Sequence, residues 1–165
     1  MSEEPKSPSW LRTSILWLLC NGLAVLLYLP LAAVEMLLGA TLLPLLLTIA
    51  QAYCLRRHVN WVLWVAVTYA SWFLAGFALW VSFFAVGCVT PLFQAFCLSR
   101  RSLFAALLWF LLGSLGWVAA IYLSVWLNYP PFGWWGGMLL SYGIQTLFLL
   151  PAMVALERSA ARRTV

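Results

Sequence analysis

Charged residues are scarce in this sequence of 165 residues. Only 8% are Asp, Glu, Lys or Arg, against roughly 25% in a typical soluble domain. Aspartate is absent, histidine occurs once, and the mean hydropathy is +0.99. So few charges cannot cover the surface of a water-soluble globule, which excludes a soluble enzyme, a disordered tail and a coiled coil. The composition predicts one integral membrane domain over residues 1–165.

Metal-binding and nucleic-acid-binding patterns are missing as well. The four cysteines form no C-x-x-C pair, and the single histidine of the chain provides no cluster of ligands beside them, so neither a zinc site nor a redox pair is predicted. The basic residues occur in small groups between long apolar stretches, whereas a nucleic-acid-binding face would cluster them among aromatic residues. We therefore expect no metal, no catalytic residues and no nucleic-acid partner.

The arginine groups divide the chain into three long stretches, 13–55, 58–99 and 102–157, of 43, 42 and 56 residues. One crossing of a ~30 Å hydrocarbon core takes about 20 residues, so each stretch fits two helices. The turns near 31–36, 81–86 and 127–133 carry no Lys or Arg. The sequence predicts an all-α, polytopic transmembrane bundle of six helices after a polar tail, 1–11. The expected helices are about 12–31, 36–56, 60–80, 84–100, 103–127 and 134–158.

Two crossings per stretch return the chain to its starting side, so every arginine group lies on one face, as the positive-inside rule requires. This face would be cytoplasmic and would contain both termini. The polar, acidic N-terminus lacks the basic region of a signal peptide, so we expect the first helix to be retained. The residues assigned to orientation and to lipid headgroups are Arg56, Arg57, Arg100, Arg101 and Arg158. The expected location is the bacterial inner membrane or an internal membrane derived from it.

The first two hairpins end alike. Residues 51–57, QAYCLRR, match residues 94–101, QAFCLSRR, with one serine inserted. Each match is followed by two tryptophans eight residues apart. The end of the third hairpin matches more weakly, so two or three copies of one helical hairpin remain open. This pattern resembles repeats in a loose group of uncharacterised bacterial polytopic membrane proteins, a likeness that implies an architecture and no chemistry.

Four amide side chains are the polar candidates inside the membrane: Gln51, Gln94, Gln145 and Asn21. Gln51 and Gln94 lie five and six residues before an arginine, which is about 8 Å inside the membrane edge. A buried amide without hydrogen bonds costs several kcal/mol, so equal depth predicts that these two face each other. They either join helices or form a site for a small neutral ligand, with Gln145 added. Gly113 and Gly116 are expected to allow close helix approach.

His58 follows an arginine pair at a helix end, which favours a position among lipid headgroups. The alternative is an axial ligand to a chlorin or haem, since one imidazole suffices for that role. Glu157, next to Arg158, is expected to form a solvated ion pair with it. No cofactor is predicted beyond lipid, with a bound pigment as the alternative.

Three functions follow from these expectations. The leading one is a non-catalytic accessory or scaffold subunit that packs into a larger membrane complex, with lipids and other subunits as partners. The second is a small-ligand-binding component of a membrane importer, in which Gln51, Gln94 and Asn21 line the site. The third is a pigment- or cofactor-associated membrane subunit. An enzyme is not expected.

Overall fold

The computed structural model describes residues 9–32, 36–78, 83–127 and 142–161. All regular structure in these ranges is α-helix, which confirms the all-α prediction. The helices are α1 (Ser9–Ala32), α2 (Met36–Leu55), α3 (Trp61–Ala78), α4 (Phe83–Ser99), α5 (Leu103–Leu127) and α6 (Leu150–Ala161). Residues 142–148 are also helical and lead through a turn at Leu149 into α6.

The observed bounds of α1 to α5 differ from the expected ones by at most three residues. The sixth expected helix, 134–158, differs more, because a turn at Leu149 divides its described part. Pro151 explains the turn, since proline has no N–H to donate to the carbonyl of Leu147. Of the turn expected at 81–86, residues 83–86 belong to α4, and residues 81 and 82 lie outside the described residues. The expected turn at 127–133 lies almost wholly outside the described residues.

The helices close into a ring. Each of α1 to α5 packs against the next helix along the chain, and α6 packs against both α5 and α1. The α2–α3 and α4–α5 connections repeat one geometry. The carbonyl of Leu55 accepts hydrogen bonds from the N–H groups of residues 58 and 59, and that of Leu98 accepts from residues 101 and 102. Asn60 and Ser102 then cap α3 and α5 through their side-chain oxygens.

One end of the ring carries six exposed arginines and is called the arginine end below. Thr13 of α1 and His58 at the end of α2 both contact Glu157 of α6. Ser102, which caps α5, contacts Ser159 of α6 at 3.1 Å. These contacts bring the arginine groups together. Their exposed members are Arg12, Arg56, Arg57, Arg100, Arg101 and Arg158.

Two of the described helical segments, Trp10–Leu27 and Leu103–Ala120, are long and apolar enough to cross a membrane. Three further apolar helical segments are shorter: Leu42–Leu55, Trp61–Ala75 and Gly87–Ser99. Length and composition alone therefore give weak support for membrane association and leave the number of crossings open.

Glycines in α5 allow its neighbours to approach closely. A Cβ atom on Gly113 would lie 3.0 Å from the Cβ of Pro91 in α4. One on Gly116 would lie 3.1 Å from the Cβ of Phe148 and 3.3 Å from the Cα of Gln145. A side chain at either position would require these neighbouring atoms to shift by a few tenths of an ångström, so both glycines lie at close approaches between helices, as their sequence context predicts.

We expect Gly116→Leu to lower the free energy of unfolding by about 1–3 kcal/mol, because the added side chain overpacks the contact between α5 and residues 142–148. Gly22→Leu is the matched control, since a Cβ on Gly22 meets nothing within 4 Å. Unfolding in mild detergent, followed by circular dichroism, measures both variants. An equal loss of stability in the two would contradict the close approach at Gly116.

Candidate functional site: a buried network of amides and tryptophans

Three tryptophans meet at the centre of the ring. Trp17, Trp64 and Trp109 come from α1, α3 and α5, and each is 0% exposed. The ring centroids of Trp17 and Trp109 lie 5.5 Å apart with the planes at 81°, and those of Trp64 and Trp109 lie 5.5 Å apart at 87°. Edge-to-face pairs of this kind contribute about 0.5–1.5 kcal/mol each beyond the area that they bury. The three rings therefore hold the first helices of the three hairpins together.

The two glutamines meet beside these rings. Gln94 Nε2 donates to Gln51 Oε1 at 3.2 Å, so the expected contact between the amides is present. Trp109 Nε1 donates to Gln94 Oε1 at 2.9 Å. Both amides are buried. Gln94 thus links α4 to α2 with its nitrogen and to α5 with its oxygen.

The network continues to α1 and α3. Gln51 Nε2 lies 3.5 Å from Asn21 Oδ1, and Asn21 Nδ2 donates to the carbonyl of Trp17 at 2.8 Å. Gln94 Nε2 also lies 3.4 Å from Thr68 Oγ1. Side chains from five helices are therefore connected inside the ring, where the protein itself must supply the hydrogen bonds that water would otherwise make.

Most other buried hydroxyl groups bond close to their own position. Ser71 Oγ donates to the carbonyl of Thr68 at 2.7 Å and lies 3.2 Å from Thr90 Oγ1. Thr48 Oγ1 donates to the carbonyl of Pro44 at 2.6 Å. Within the described residues, three buried side-chain atoms have no hydrogen-bond partner: Trp64 Nε1, Ser114 Oγ and Trp117 Nε1.

A second aromatic layer lies further from the arginine end. Trp72 and Trp117 have ring centroids 5.2 Å apart, and each lies 5.9 Å from the ring of Tyr142. The paired tryptophans of α3 and α5 therefore face one another inside the ring. Gln145, one turn after Tyr142, is also buried, but among the described residues no hydrogen bond joins it to Gln51 or Gln94. Its inclusion in the amide site is not supported by this geometry.

His58 is buried, in contrast to the position among headgroups that its neighbours predict. Its Nε2 lies 3.0 Å from Oε1 of Glu157, and Thr13 Oγ1 donates to the same oxygen at 2.8 Å. Glu157 is therefore engaged by His58 and Thr13, and the expectation of a solvated pair with Arg158 does not describe its surroundings. Because the carboxylate is only partly exposed, it gains more from these two partners than a solvated carboxylate would.

The pigment hypothesis for His58 stays a prediction. In this structure, the contact of Nε2 with Glu157 would have to break before Nε2 could ligate the central metal of a chlorin or a haem. The arginines assigned to the headgroups are all exposed. Arg56 also places its guanidinium carbon 4.1 Å from the ring centroid of Tyr53, a cation–π contact at the edge of the helical ring.

The sequence alone does not place Trp17 and Glu157 in the site, although both are central to it. A signal for Trp17 exists, because each hairpin has a tryptophan shortly after its leading arginine. Trp17, Trp64 and Trp109 follow Arg12, Arg57 and Arg101 by five, seven and eight residues. Glu157 has no such signal, since its partner His58 lies 99 residues away in the chain.

Comparisons with protein-family models, curated proteins and solved structures found no match to this chain. The arrangement of the site therefore carries the functional argument.

The network makes a specific prediction about two tryptophans that are equally buried. Trp109→Phe removes a donor and leaves Gln94 Oε1 without its partner, whereas Trp64→Phe removes an indole N–H that has no partner. We expect Trp109→Phe to lower the free energy of unfolding by about 1–2 kcal/mol more than Trp64→Phe. Detergent unfolding followed by circular dichroism gives the difference. An equal or larger cost for Trp64→Phe would show that ring packing, and not the hydrogen bond, dominates.

Proposed function

We propose that this chain is an integral membrane protein that crosses the bilayer six times, with the arginine end on the cytoplasmic side of a bacterial inner membrane. Its proposed role is that of a non-catalytic accessory or scaffold subunit in a larger membrane assembly. The observation that carries this proposal is the distribution of polarity: amides occupy the interior of the ring, and large apolar side chains cover its outside.

The outer surface supports placement in lipid. Leu19 in α1 is 65% exposed, Phe96 in α4 is 72% exposed and Trp126 in α5 is 77% exposed. Isolated apolar residues are common on soluble proteins, but contiguous apolar faces on several helices are not. Hydrocarbon accepts such faces without cost, because lipid tails are as apolar as leucine. The shorter helices then cross with the help of arginines and tryptophans at their ends.

The position of the arginines supports a single orientation. All six described arginines lie at one end of the ring, whereas the chain crosses to the other end between successive arginine groups. Lys and Arg accumulate on the cytoplasmic side of membrane proteins. The contacts of Thr13, His58 and Glu157 hold this end together and thereby keep both ends of the described chain on the same side.

The interior supports a structural role. Gln51, Gln94 and Asn21 use their polar atoms on one another and on neighbouring backbone or indole groups. Polar side chains that join helices in membranes contribute around 0.6 kcal/mol per bond on average. Because these side chains bond to one another, they orient the helices. The protein would then bind its partners through its outer faces. Phe96 and Phe104, exposed near the arginine end of adjacent helices, offer one such face to a partner.

The importer-component hypothesis remains a second prediction. One observation favours it: the buried Asn21 lines an apolar groove on the side of the ring, so the amide network approaches the surface there. A neutral ligand that entered the groove would reach Asn21 first and Gln51 behind it.

Labelling from each side of the membrane tests the six crossings. In a variant without the native cysteines, we expect Arg57→Cys and Arg101→Cys to react with a membrane-impermeant maleimide only in inside-out vesicles. Asn128→Cys, in the far turn that the sequence predicts, is the control. It should react only in cells whose outer membrane has been permeabilised and whose inner membrane is intact. Reaction of the thiols introduced at positions 57 and 101 from opposite sides would exclude the proposed topology.

Purification from the native membrane in a gentle detergent tests the role as a subunit. We expect the chain to migrate with a second membrane protein in fixed stoichiometry, because its outer faces are proposed to pack against that partner. Substitution of Phe96 and Phe104 by alanine should reduce the co-purified fraction, while alanine at the exposed Leu19, on α1, serves as the control. A chain that migrates alone at every detergent concentration would contradict this role.

A further inference from the structure

Two thiols meet where α1 packs against α2. Cys20 of α1 and Cys54 of α2 share a hydrogen bond between their side chains. Cys54 is buried in the main apolar core, and Cys20 packs against the same core from a partly exposed position. The spacing of the cysteines in the sequence does not predict this pair, so it is a product of the fold.

The amide network brings the same two segments together. Cys20 precedes Asn21 in α1, and Cys54 follows Gln51 by three residues, about one helical turn, in α2. Asn21 Oδ1 and Gln51 Nε2 lie 3.5 Å apart. A disulfide requires two side chains that point at each other, and the hydrogen bond between the thiols shows that these two do.

The two thiols differ in what can reach them. Cys20 is partly exposed, whereas Cys54 is buried, so a reagent from outside meets Cys20 first. The neighbours of Cys20 on the outer face of α1 are apolar, since Leu19 and Leu23 are both exposed. These surroundings favour an apolar oxidant over an ionic one.

We propose that Cys20 and Cys54 form a redox site, which an organic hydroperoxide oxidises to a disulfide that fixes α1 on α2. The sulfur of Cys20 attacks the peroxide, the O–O bond breaks and an alcohol leaves, so Cys20 becomes a sulfenic acid. The sulfur of Cys54 then displaces the hydroxyl group as water and forms the S–S bond. In total, the two thiols give up two electrons and two protons, and the hydroperoxide becomes one alcohol and one water.

The disulfide acts on a helix that is mostly outside the core. Of Trp10–Leu27 in α1, 17% is buried, against 33% of Leu103–Ala120 in α5. The hydrogen bond between Asn21 of α1 and Gln51 of α2 is long, at 3.5 Å. Oxidation adds a covalent link beside this bond, and a dithiol removes the link again. The redox state therefore sets how firmly α1 is held to α2.

Counting free thiols in the detergent-purified full chain tests this site. The folded protein is treated with cumene hydroperoxide, then unfolded and labelled with a maleimide polymer that adds a visible mass for each thiol. We expect four labelled thiols before oxidation and two after it, because Cys20 and Cys54 are joined. Peptide mapping should identify this disulfide, and dithiothreitol should restore all four thiols.

Three variants separate this pair from the other cysteines. Cys88→Ala is the matched control, since Cys88 and Cys97 lie nine residues, about 14 Å, apart along α4 and cannot pair with each other. It should fall from three labelled thiols to one. Cys20→Ala should keep all three of its thiols. Cys54→Ala should stop at the sulfenic acid of Cys20, which dimedone traps.

Thermal unfolding in detergent measures the effect on α1. Oxidation should raise the Tm of the unchanged protein by about 5–10 °C, because the disulfide closes a loop of the unfolded chain. The same treatment should leave the Tm of Cys20→Ala unchanged. Circular dichroism before oxidation shows whether each variant is folded, so that a lost reaction is assigned to the missing thiol.

Four labelled thiols in the oxidised, unchanged protein would overturn the proposal. A disulfide between two chains, or one that includes Cys88 or Cys97, would overturn it as well. A disulfide between Cys20 and Cys54 that leaves the Tm unchanged would refute the fixing of α1. These outcomes are independent of the proposed function, because the contact between the two thiols lies within the chain.

Discussion

A buried amide must make its hydrogen bonds within the protein. In this chain Gln94 meets this requirement with both its nitrogen and its oxygen. Its nitrogen donates to Gln51 and its oxygen accepts from Trp109, so one side chain of α4 is bound to α2 and to α5. A shift of α4 by one residue along its axis, about 1.5 Å, would break both bonds. Apolar packing tolerates such a shift far better. The amide thus fixes the relative heights of three helices that apolar contacts alone would leave less defined.

The arginine end fixes the heights of two further helices, α1 and α6, relative to α2. Contacts of Glu157 with Thr13 and His58 join the start of α1, the end of α2 and the end of α6. Gln51 and His58 lie on one short segment of chain, so the polar network and the contacts at the end are linked through α2. Glycines 113 and 116 then allow α5 to close against α4 and residues 142–148 at these heights. Polar contacts define the register, and the close packing of small residues makes that register sterically accessible.

Much of this arrangement could be predicted from the sequence, because it depends on local spacing. Gln51 and Gln94 lie at similar distances from their arginines, five and six residues, and this spacing predicts a contact that the structure contains. The helix bounds follow from the arginines and the apolar stretches. The turn at Leu149 could not be predicted from Pro151 alone, because a proline does not always end a helix. Pro44 and Pro91 lie inside α2 and α4 without ending them. The partnership of Glu157 with His58 could not be predicted, since it depends on how the ring closes.

Within the described part of the chain the indole N–H of Trp64 has no hydrogen-bond partner, although Trp64 and Trp109 follow matching sequence segments. Around the ring, α5 packs against α4, α3 against α2, and α1 against α6. Trp109 bonds to Gln94 of α4, so by analogy Trp64 would bond to Gln51 of α2; however, the oxygen of Gln51 accepts from Gln94 instead. In the third hairpin, Met153 stands five residues before Arg158, as Gln51 stands before Arg56. Methionine offers no comparable acceptor, and Trp17 bonds to the carbonyl of Thr146. The absence of an amide at position 153 thus accounts for the backbone partner of Trp17, and the contact of Gln94 with the Gln51 oxygen accounts for the different surroundings of Trp64.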